Sequence, residues 1–349
     1  MTDLTRQQVL AHRIHMHELD RRVRKAADLR VFDLGVQETT NSGALLSLAA
    51  RLDKPDTSGF TPTWTVRGAP HLHHPKDLPA LAKQLWPWSD ADALARMSRP
   101  KVDDAVEALR VLAKAMRDIV KKPMTKGEIS TALTPKAPKQ TVEWCRGCDT
   151  HHVSDPIFRH AALPAGLRIV PEERTITFER IPKWPGVPRE TKGFDDLIRK
   201  YLTLHGPAGP SEVASYFGTT AKEVKPHWPD DLVEMKVEGR KAWLPEGVEI
   251  ADAEPPEVRL LPPFDPYVQA RDRDLLIPDK AQQKDVFRIL GRRGVVLVDG
   301  EVAGSWQGKV SGKRLDVVVN PYRPLPDLDE EAQRLAAARG LGDARVQSG

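Results

Sequence analysis

The chain has 349 residues, enough for two or three domains each with its own core, and hydrophobic and charged fractions of 40% and 29% exclude both wholesale disorder and a fibrous architecture. No apolar run reaches the length that spans a bilayer, Met1 to Arg30 alternates charges where a leader would be apolar, and two cysteines fit a reducing compartment, so a cytoplasmic protein is expected. The formal net charge of +4 names no partner by itself, but the basic residues cluster, at Arg21, Arg22, Arg24 and Lys25, at Lys121 and Lys122, at Arg271 and Arg273, and at Lys309, Lys313 and Arg314.

The first hundred residues carry weak helical periodicity near Leu4 to Leu19 and Gly43 to Leu52, then a strand at Trp64-Thr65-Val66. A clear amphipathic helix follows from Val102 to Val120, with Asp103 and Asp104 in its first turn, Lys121 and Lys122 at its end, and Pro123 to stop it. Thr125-Lys126-Gly127-Glu128 then reads as a capping box that opens a second helix after a tight turn. A third helix is expected over Val153 to Ala162, and strands at Leu167 to Val170 and Thr175 to Phe178 flank the charged turn Glu172-Glu173-Arg174.

The same order returns downstream. Phe194, Leu197, Ile198, Tyr201 and Leu202 form one apolar face, Gly206-Pro207 breaks the helix, and Ser211-Glu212-Val213 opens the next. Aligning Pro123 with Pro207 sets Glu128 on Glu212 and Ile129 on Val213, so the segment is an internal repeat. Gly218 ends this helix, Thr220-Ala221-Lys222-Glu223 caps a third, and Leu232 to Lys236 and Lys241 to Leu244 make a hairpin around Glu238-Gly239-Arg240. Three helices and a hairpin are the winged-helix plan. Past Glu254-Pro255-Pro256 the pattern turns to strands at Val258 to Leu261, Val295 to Val298, Glu301 to Trp306 and Leu315 to Val319, joined by turns at Asp299-Gly300 and Ser311-Gly312. The expected fold is α+β: tandem winged-helix units at 1–100, 101–190 and 191–254 around a concave channel, a small β unit at 255–326, and an exposed tail at 327–349.

Tandem winged helices predict a basic track on double-stranded DNA, although such units also serve only to pack against protein. Leu34-Gly35-Val36-Gln37-Glu38-Thr39, Trp64 to His71, the WCRGC-to-HH segment at Trp144 to His152 and Leu261-Pro262-Pro263-Phe264-Asp265-Pro266 together resemble the winged helix DNA-binding domain family of AlkZ- and YcaQ-like DNA glycosylases, over nearly all the chain to about Tyr322. The resemblance implies three winged helices around a DNA channel, excision of alkylated purines or unhooking of interstrand crosslinks without a cofactor, and a Gln-x-Gln or Gln-x-Asp signature whose first residue falls on Gln37. Hydrolysis of an N-glycosidic bond passes through an oxocarbenium-like sugar and needs a positioned water near an electronegative oxygen. Here the third position is Thr39, which binds water but is no base, and Glu38 supplies a carboxylate if the backbone turns it inward. The alternative reading of this segment is a cap for the following helix, and with it a non-catalytic DNA-binding protein, a regulator or a shield over damaged DNA.

Candidate DNA contacts are Arg67, His71, Arg271, Arg273, Lys309, Lys313 and Arg314. Arg67 and His71 read equally as residues that only build a turn, and Lys309 to Arg314 as a soluble hairpin tip. His71-Leu72-His73-His74 is expected to be a solvated histidine cluster, and Phe264-Asp265-Pro266 with Arg271 to Asp274 a salt-bridged surface. Cys145 and Cys148 have zinc spacing, with one histidine of His151 and His152 as third ligand and His160 as a conceivable fourth, but without a second pair of ligands the expectation is no metal.

Overall fold

The computed structural model describes residues 2–20, 25–39, 42–97, 102–171 and 175–349, so Arg21, Arg22 and Arg24 of the first basic cluster and the turn Glu172-Glu173-Arg174 lie outside the described residues. The architecture is α+β. In chain order it begins with β1 (Asp3–Leu4), α1 (Arg6–Met16), β2 (Val36–Gln37), α2 (Gly43–Ala49), β3 (Thr61–Trp64), β4 (Pro70–His73), α3 (Leu78–Gln84) and α4 (Asp90–Met97). The second predicted repeat gives α5 (Ala105–Ile119), β5 (Met124–Thr125), α6 (Lys126–Leu133), a hairpin of β6 (Val142–Cys145) and β7 (Thr150–Val153), α7 (Asp155–Ala162), β8 (Leu167–Ile169) and β9 (Thr177–Arg180). The third gives α8 (Phe194–His205), α9 (Pro210–Phe217), α10 (Ala221–Val224), β10 (Leu232–Val237) and β11 (Arg240–Pro245). The chain ends with β12 (Val258–Leu261), α11 (Arg273–Leu276), α12 (Lys280–Val286), β13 (Gly294–Val298), β14 (Glu301–Ser311), β15 (Arg314–Pro321), α13 (Asp329–Ala338) and β16 (Asp343–Ser348).

These elements gather into two compact units that cut across the repeat boundaries. One comprises Met1–Gly59, Arg199–Glu212 and Pro229–Gly349, the other Phe60–Ile198 and Val213–Trp228. In the latter, the amphipathic stripe expected on α5 buries Leu109, Leu112 and Met116 against Ile157, Phe158 and Phe178. The capping box forms as expected: Thr125 Oγ1 accepts from the Glu128 amide while the Glu128 carboxylate accepts from the Thr125 amide. Strands β5, β9 and β8 form one sheet in that order, the short sheet of a winged helix. Trp64 stands edge-on to Phe158 and Phe178, and the Thr63 hydroxyl donates to the Leu167 carbonyl at 2.8 Å, so the β3–β4 hairpin is fastened to this core.

In the other unit, β10 and β11 form the expected hairpin, but Arg240 pairs with Val237, so the turn is the two residues Glu238-Gly239 instead of Glu238-Gly239-Arg240; both have positive φ, the left-handed conformation a two-residue hairpin requires. The parallel pairing of β1 with β10 has no signature in the sequence, because a two-residue strand has no periodicity. The C-terminal sheet has five strands, β12 to β16 in sequence order. Its long hairpin turns at Gly312-Lys313 instead of Ser311-Gly312, since Ser311 still pairs with Arg314.

The exposed tail expected at 327–349 is corrected. Leu328, Ala332, Leu335 and Ala336 of α13 and its approach are buried against Leu46 and Ala49 of α2 and against Leu315, Val317 and Val319, while β16 adds to β15 as a parallel strand. The charges of Asp329, Glu330 and Glu331 suggest solvent, but they occupy the first turn of the helix, where its dipole favours them, and the apolar stripe behind them faces the core.

Candidate active site around Gln37

The chain leaves a short 3-10 turn at Arg30–Asp33 through Gly35, whose φ of 86° suits glycine, and runs as an extended pair only through Val36 and Gln37. Gln37 is half-buried, and its carbonyl oxygen accepts from the Gln269 side-chain amide at 3.3 Å. Gln269 donates also to the Phe264 carbonyl at 3.4 Å, so the Gln37 amide is oriented by a residue that is itself tied down.

Glu38 turns inward. Its carboxylate accepts from the Thr39 amide at 2.7 Å and the Ala44 amide at 3.4 Å at the start of α2. Burial raises its pKa above the usual carboxylate range, and the amides of Thr39, Ala44 and Gly43 limit the rise. Thr39 Oγ1 accepts from the Gly43 amide at 3.1 Å. Gly43 is required there, because a Cβ would stand 2.6 Å from that hydroxyl. Capping of α2 therefore falls to Glu38 and Thr39 instead of Gln37, and the Gln37 amide nitrogen is left for other chemistry.

A buried ion pair holds the partner segment. Arg51 and Asp265, both with fully buried side chains, form a bidentate fork with bonds of 2.8 and 2.9 Å, and Arg51 donates also to the carbonyls of His17 and Ser47. Asp265 Oδ1 accepts as well from the Tyr267 amide, capping the Pro266–Gln269 turn that carries Gln269. The surface reading of Phe264-Asp265-Pro266 is thereby corrected: alternating charges look solvated in sequence, whereas Asp265 has a partner 214 residues away. Asp272 likewise turns in to a second fork with the buried Arg13. Only Asp274 keeps the expected surface role, paired with Lys280.

Arg271 and Arg273 stand half-buried beside this frame, with the Arg271 amide donating to the Tyr201 hydroxyl at 3.4 Å. Arg273 lies over the Phe287 ring, and Arg292 lies over both Phe264 and Phe287, at 4.7 and 5.2 Å from the ring centroids. Burial first, then the charges of Arg273 and Arg271, lower the Arg292 pKa to about 10. Arg273 and Arg292, held by aromatic rings, and Arg271, whose charge is felt at Arg292, make an anion-attracting patch beside Phe264, whose carbonyl anchors Gln269. Sequence reasoning missed Arg292, whose neighbours Gly291 and Arg293 give no cluster signal beyond a common basic pair.

The hairpin tip is exposed from Gln307 to Lys313, and Arg314 is tied to Asp316 at 2.8 Å. Lys309 and Lys313 are thus solvent-facing cations flanking Val310.

Arg67 and His71 lie in the other compact unit. The Arg67 guanidinium donates to the Tyr216 carbonyl and stacks on the Tyr216 ring. His71 is corrected as a phosphate contact: it is buried, its Nδ1 lies 3.0 Å from both the Ala69 carbonyl and the Thr65 hydroxyl, and burial with the Arg67 charge lowers its pKa to about 3, so it stays neutral. The histidine cluster is not solvated either, since His73 is buried beside Thr65 and His74 packs on Phe60.

In the same unit the side-chain donor atoms of Cys145, Cys148 and His152 all lie within 4.8 Å of one another. Of the two adjacent histidines it is His152 that joins the cysteines, while His151 points to the other hairpin face and meets the Trp144 ring. His160, the conceivable fourth ligand, is half-buried, with its Nε2 3.0 Å from the Arg96 carbonyl. A hydrogen bond with His152, then the backbone amides of Cys148 and Gly147, lower the Cys145 pKa to about 7.

Among curated proteins none matches the chain. Among solved structures, the Streptomyces sahachiroi DNA glycosylase AlkZ is similar with a TM-score of 0.74 and 22% identity over 100% of both chains, a likeness in fold. The family described as DNA glycosylase AlkZ-like matches residues 34–341, which include the Gln37 segment, the Asp265 frame and the basic hairpin. On that match the chain belongs to the AlkZ-like DNA glycosylase family.

Proposed function

We propose that this chain hydrolyses the N-glycosidic bond of an alkylated purine in double-stranded DNA, with Gln37 positioning the attacking water and Glu38 receiving its proton. Membership of a DNA glycosylase family makes DNA the substrate. The observation that carries the assignment of residues is the half-buried Gln37 amide, oriented by Gln269, next in sequence to a carboxylate turned inward with a raised pKa. In the reaction the water oxygen bonds to C1′ as the C1′–N bond breaks. The bonding pair leaves with the base, which neutralises the positive charge of an alkylated purine. The water proton passes to Glu38, and no cofactor enters.

A raised pKa makes the Glu38 carboxylate a stronger proton acceptor than an ordinary glutamate, and its negative charge favours the developing oxocarbenium ion. Arg271, Arg273 and Arg292 supply phosphate contacts near this centre, and the Lys309–Lys313 tip is a basic β-ribbon suited to a DNA groove. Arg67, in the other compact unit, is retained as a DNA contact.

The test is base release from duplex DNA carrying N7-alkylguanine by the wild type, Gln37→Ala and Glu38→Gln. Release by the wild type that falls at least about 100-fold in each variant is expected for residues acting on the water. Binding without release by the wild type removes the reading for that lesion and leaves a protein that only holds DNA.

A further inference from the structure

We propose that Cys145, Cys148 and His152 form a binding site for a zinc-class divalent cation that staples the β6–β7 hairpin. Three observations converge on it. The first is donor geometry: the two sulfurs and the imidazole nitrogen lie within 4.8 Å of one another. Two Zn–S bonds of about 2.3 Å at a tetrahedral angle separate sulfurs by about 3.8 Å, so rotamer adjustment alone closes the site.

The second is the preparation of the donors. The backbone amides of Gly147 and Cys148 point at Cys145 Sγ, an arrangement that supports negative charge on sulfur. His152 Nδ1 lies 2.7 Å from the Val153 carbonyl. That bond requires the ring proton on Nδ1 and makes Nε2 the ligating nitrogen, from which a bound cation displaces any proton. A ligating histidine is commonly oriented in this way by a carbonyl behind it.

The third is the hairpin itself. β6 and β7 make an isolated two-stranded sheet whose outer end, from Trp144 to His151, is mostly exposed, and Trp144 is 53% exposed. Two-stranded hairpins are marginal in water without a packed face or a cross-link. A cation bound by Cys145 on one strand, Cys148 in the turn and His152 on the other strand supplies that cross-link. Binding deprotonates the thiols that are still protonated and leaves a fourth position for water. The ligand set is neutral overall, two thiolates balancing one divalent cation.

Cobalt(II) titration of the reduced, metal-free full-length protein tests this. One equivalent should bind with the intense thiolate-to-cobalt charge-transfer absorption of a tetrahedral site, and zinc should displace it. Cys145→Ser and Cys148→Ser should abolish the absorption, His152→Ala should weaken binding at least about tenfold, and His151→Ala should leave it unchanged. Exposure of the turn lets these variants fold, and the wild-type spectrum is informative without them. Absence of stoichiometric cobalt binding in the reduced wild type overturns the proposal. So does an absorption that survives either serine substitution.

Discussion

Asp265 is the residue whose removal should be felt most widely. In Asp265→Ala the Arg51 guanidinium remains in a site with no exposure, having lost two charge-assisted bonds of 2.8 and 2.9 Å, while its bonds to the His17 and Ser47 carbonyls persist. Breaking one side of a buried pair costs about 3–5 kcal/mol, because the surviving charge is uncompensated. The alanine variant also loses the acceptor for the Tyr267 amide and belongs at the upper end, whereas Asp265→Asn keeps an oxygen there and belongs at the lower end. Urea unfolding should show a lower midpoint at unchanged slope for both. Adding Arg51→Met to Asp265→Ala should recover more than half of the loss, since an apolar replacement removes the buried charge itself. At a temperature where Asp265→Asn stays folded, base release should still fall, because the turn that presents Gln269 to Gln37 has lost its anchor. A loss below about 1 kcal/mol in Asp265→Ala would mean that water or another group satisfies Arg51, and Asp265 would not be what holds the frame.

The half-buried His160 makes stability depend on pH. Burial first, then the charges of Arg96 and Arg159, lower its pKa from 6.5 to about 4, so below pH 6.5 the unfolded chain takes up a proton that the folded one refuses. Stability should therefore be full above pH 6.5 and decline by about 3 kcal/mol towards pH 4, a slope in urea midpoints that His160→Gln should flatten. Lys309→Ala with Lys313→Ala should lower the slope of log affinity for duplex DNA against log salt by about 0.9 for each phosphate no longer neutralised, and an unchanged slope would place the hairpin tip away from DNA. Leu335→Ala, in the helix that backs α2, should cost about 2–5 kcal/mol, whereas a loss near zero would restore the picture of a dispensable tail.

The helices and hairpins were legible because each rests on local signals of high contrast: the α5 stripe, the capping box at Thr125, the Thr220 cap, of which only the Thr side-chain half forms, and glycine turns at Glu238-Gly239 and Asp299-Gly300. What stayed hidden depends on partners distant in sequence. The Arg51–Asp265 and Arg13–Asp272 forks join residues more than 200 positions apart, and a charge in sequence carries no mark of whether it will be buried. The tail misled for a related reason. Its apolar residues are few and mostly alanine, yet they meet α2 and the outer strands of the sheet, where small side chains suffice for close packing.

The signature residues show how a sound local rule fails at its boundary. Side chains two residues apart share a face only while the chain is extended, and here the extended segment ends at Gln37. Beyond it both side chains are taken up near the start of α2: Thr39 Oγ1 accepts from the Gly43 amide, and the Glu38 carboxylate accepts from the Thr39 and Ala44 amides. The missing Gln or Asp at position 39 therefore still leaves a carboxylate next in sequence to Gln37, and the proposed mechanism gives Glu38 the proton-accepting role. Thr39→Val isolates this step. It should cost about 1 kcal/mol as a lost cap and leave base release within a few-fold of the wild type, while Glu38→Gln loses most of it. Should Thr39→Val instead match Glu38→Gln in base release while remaining folded, the hydroxyl itself would be holding the water, and Glu38 would be reduced to capping α2.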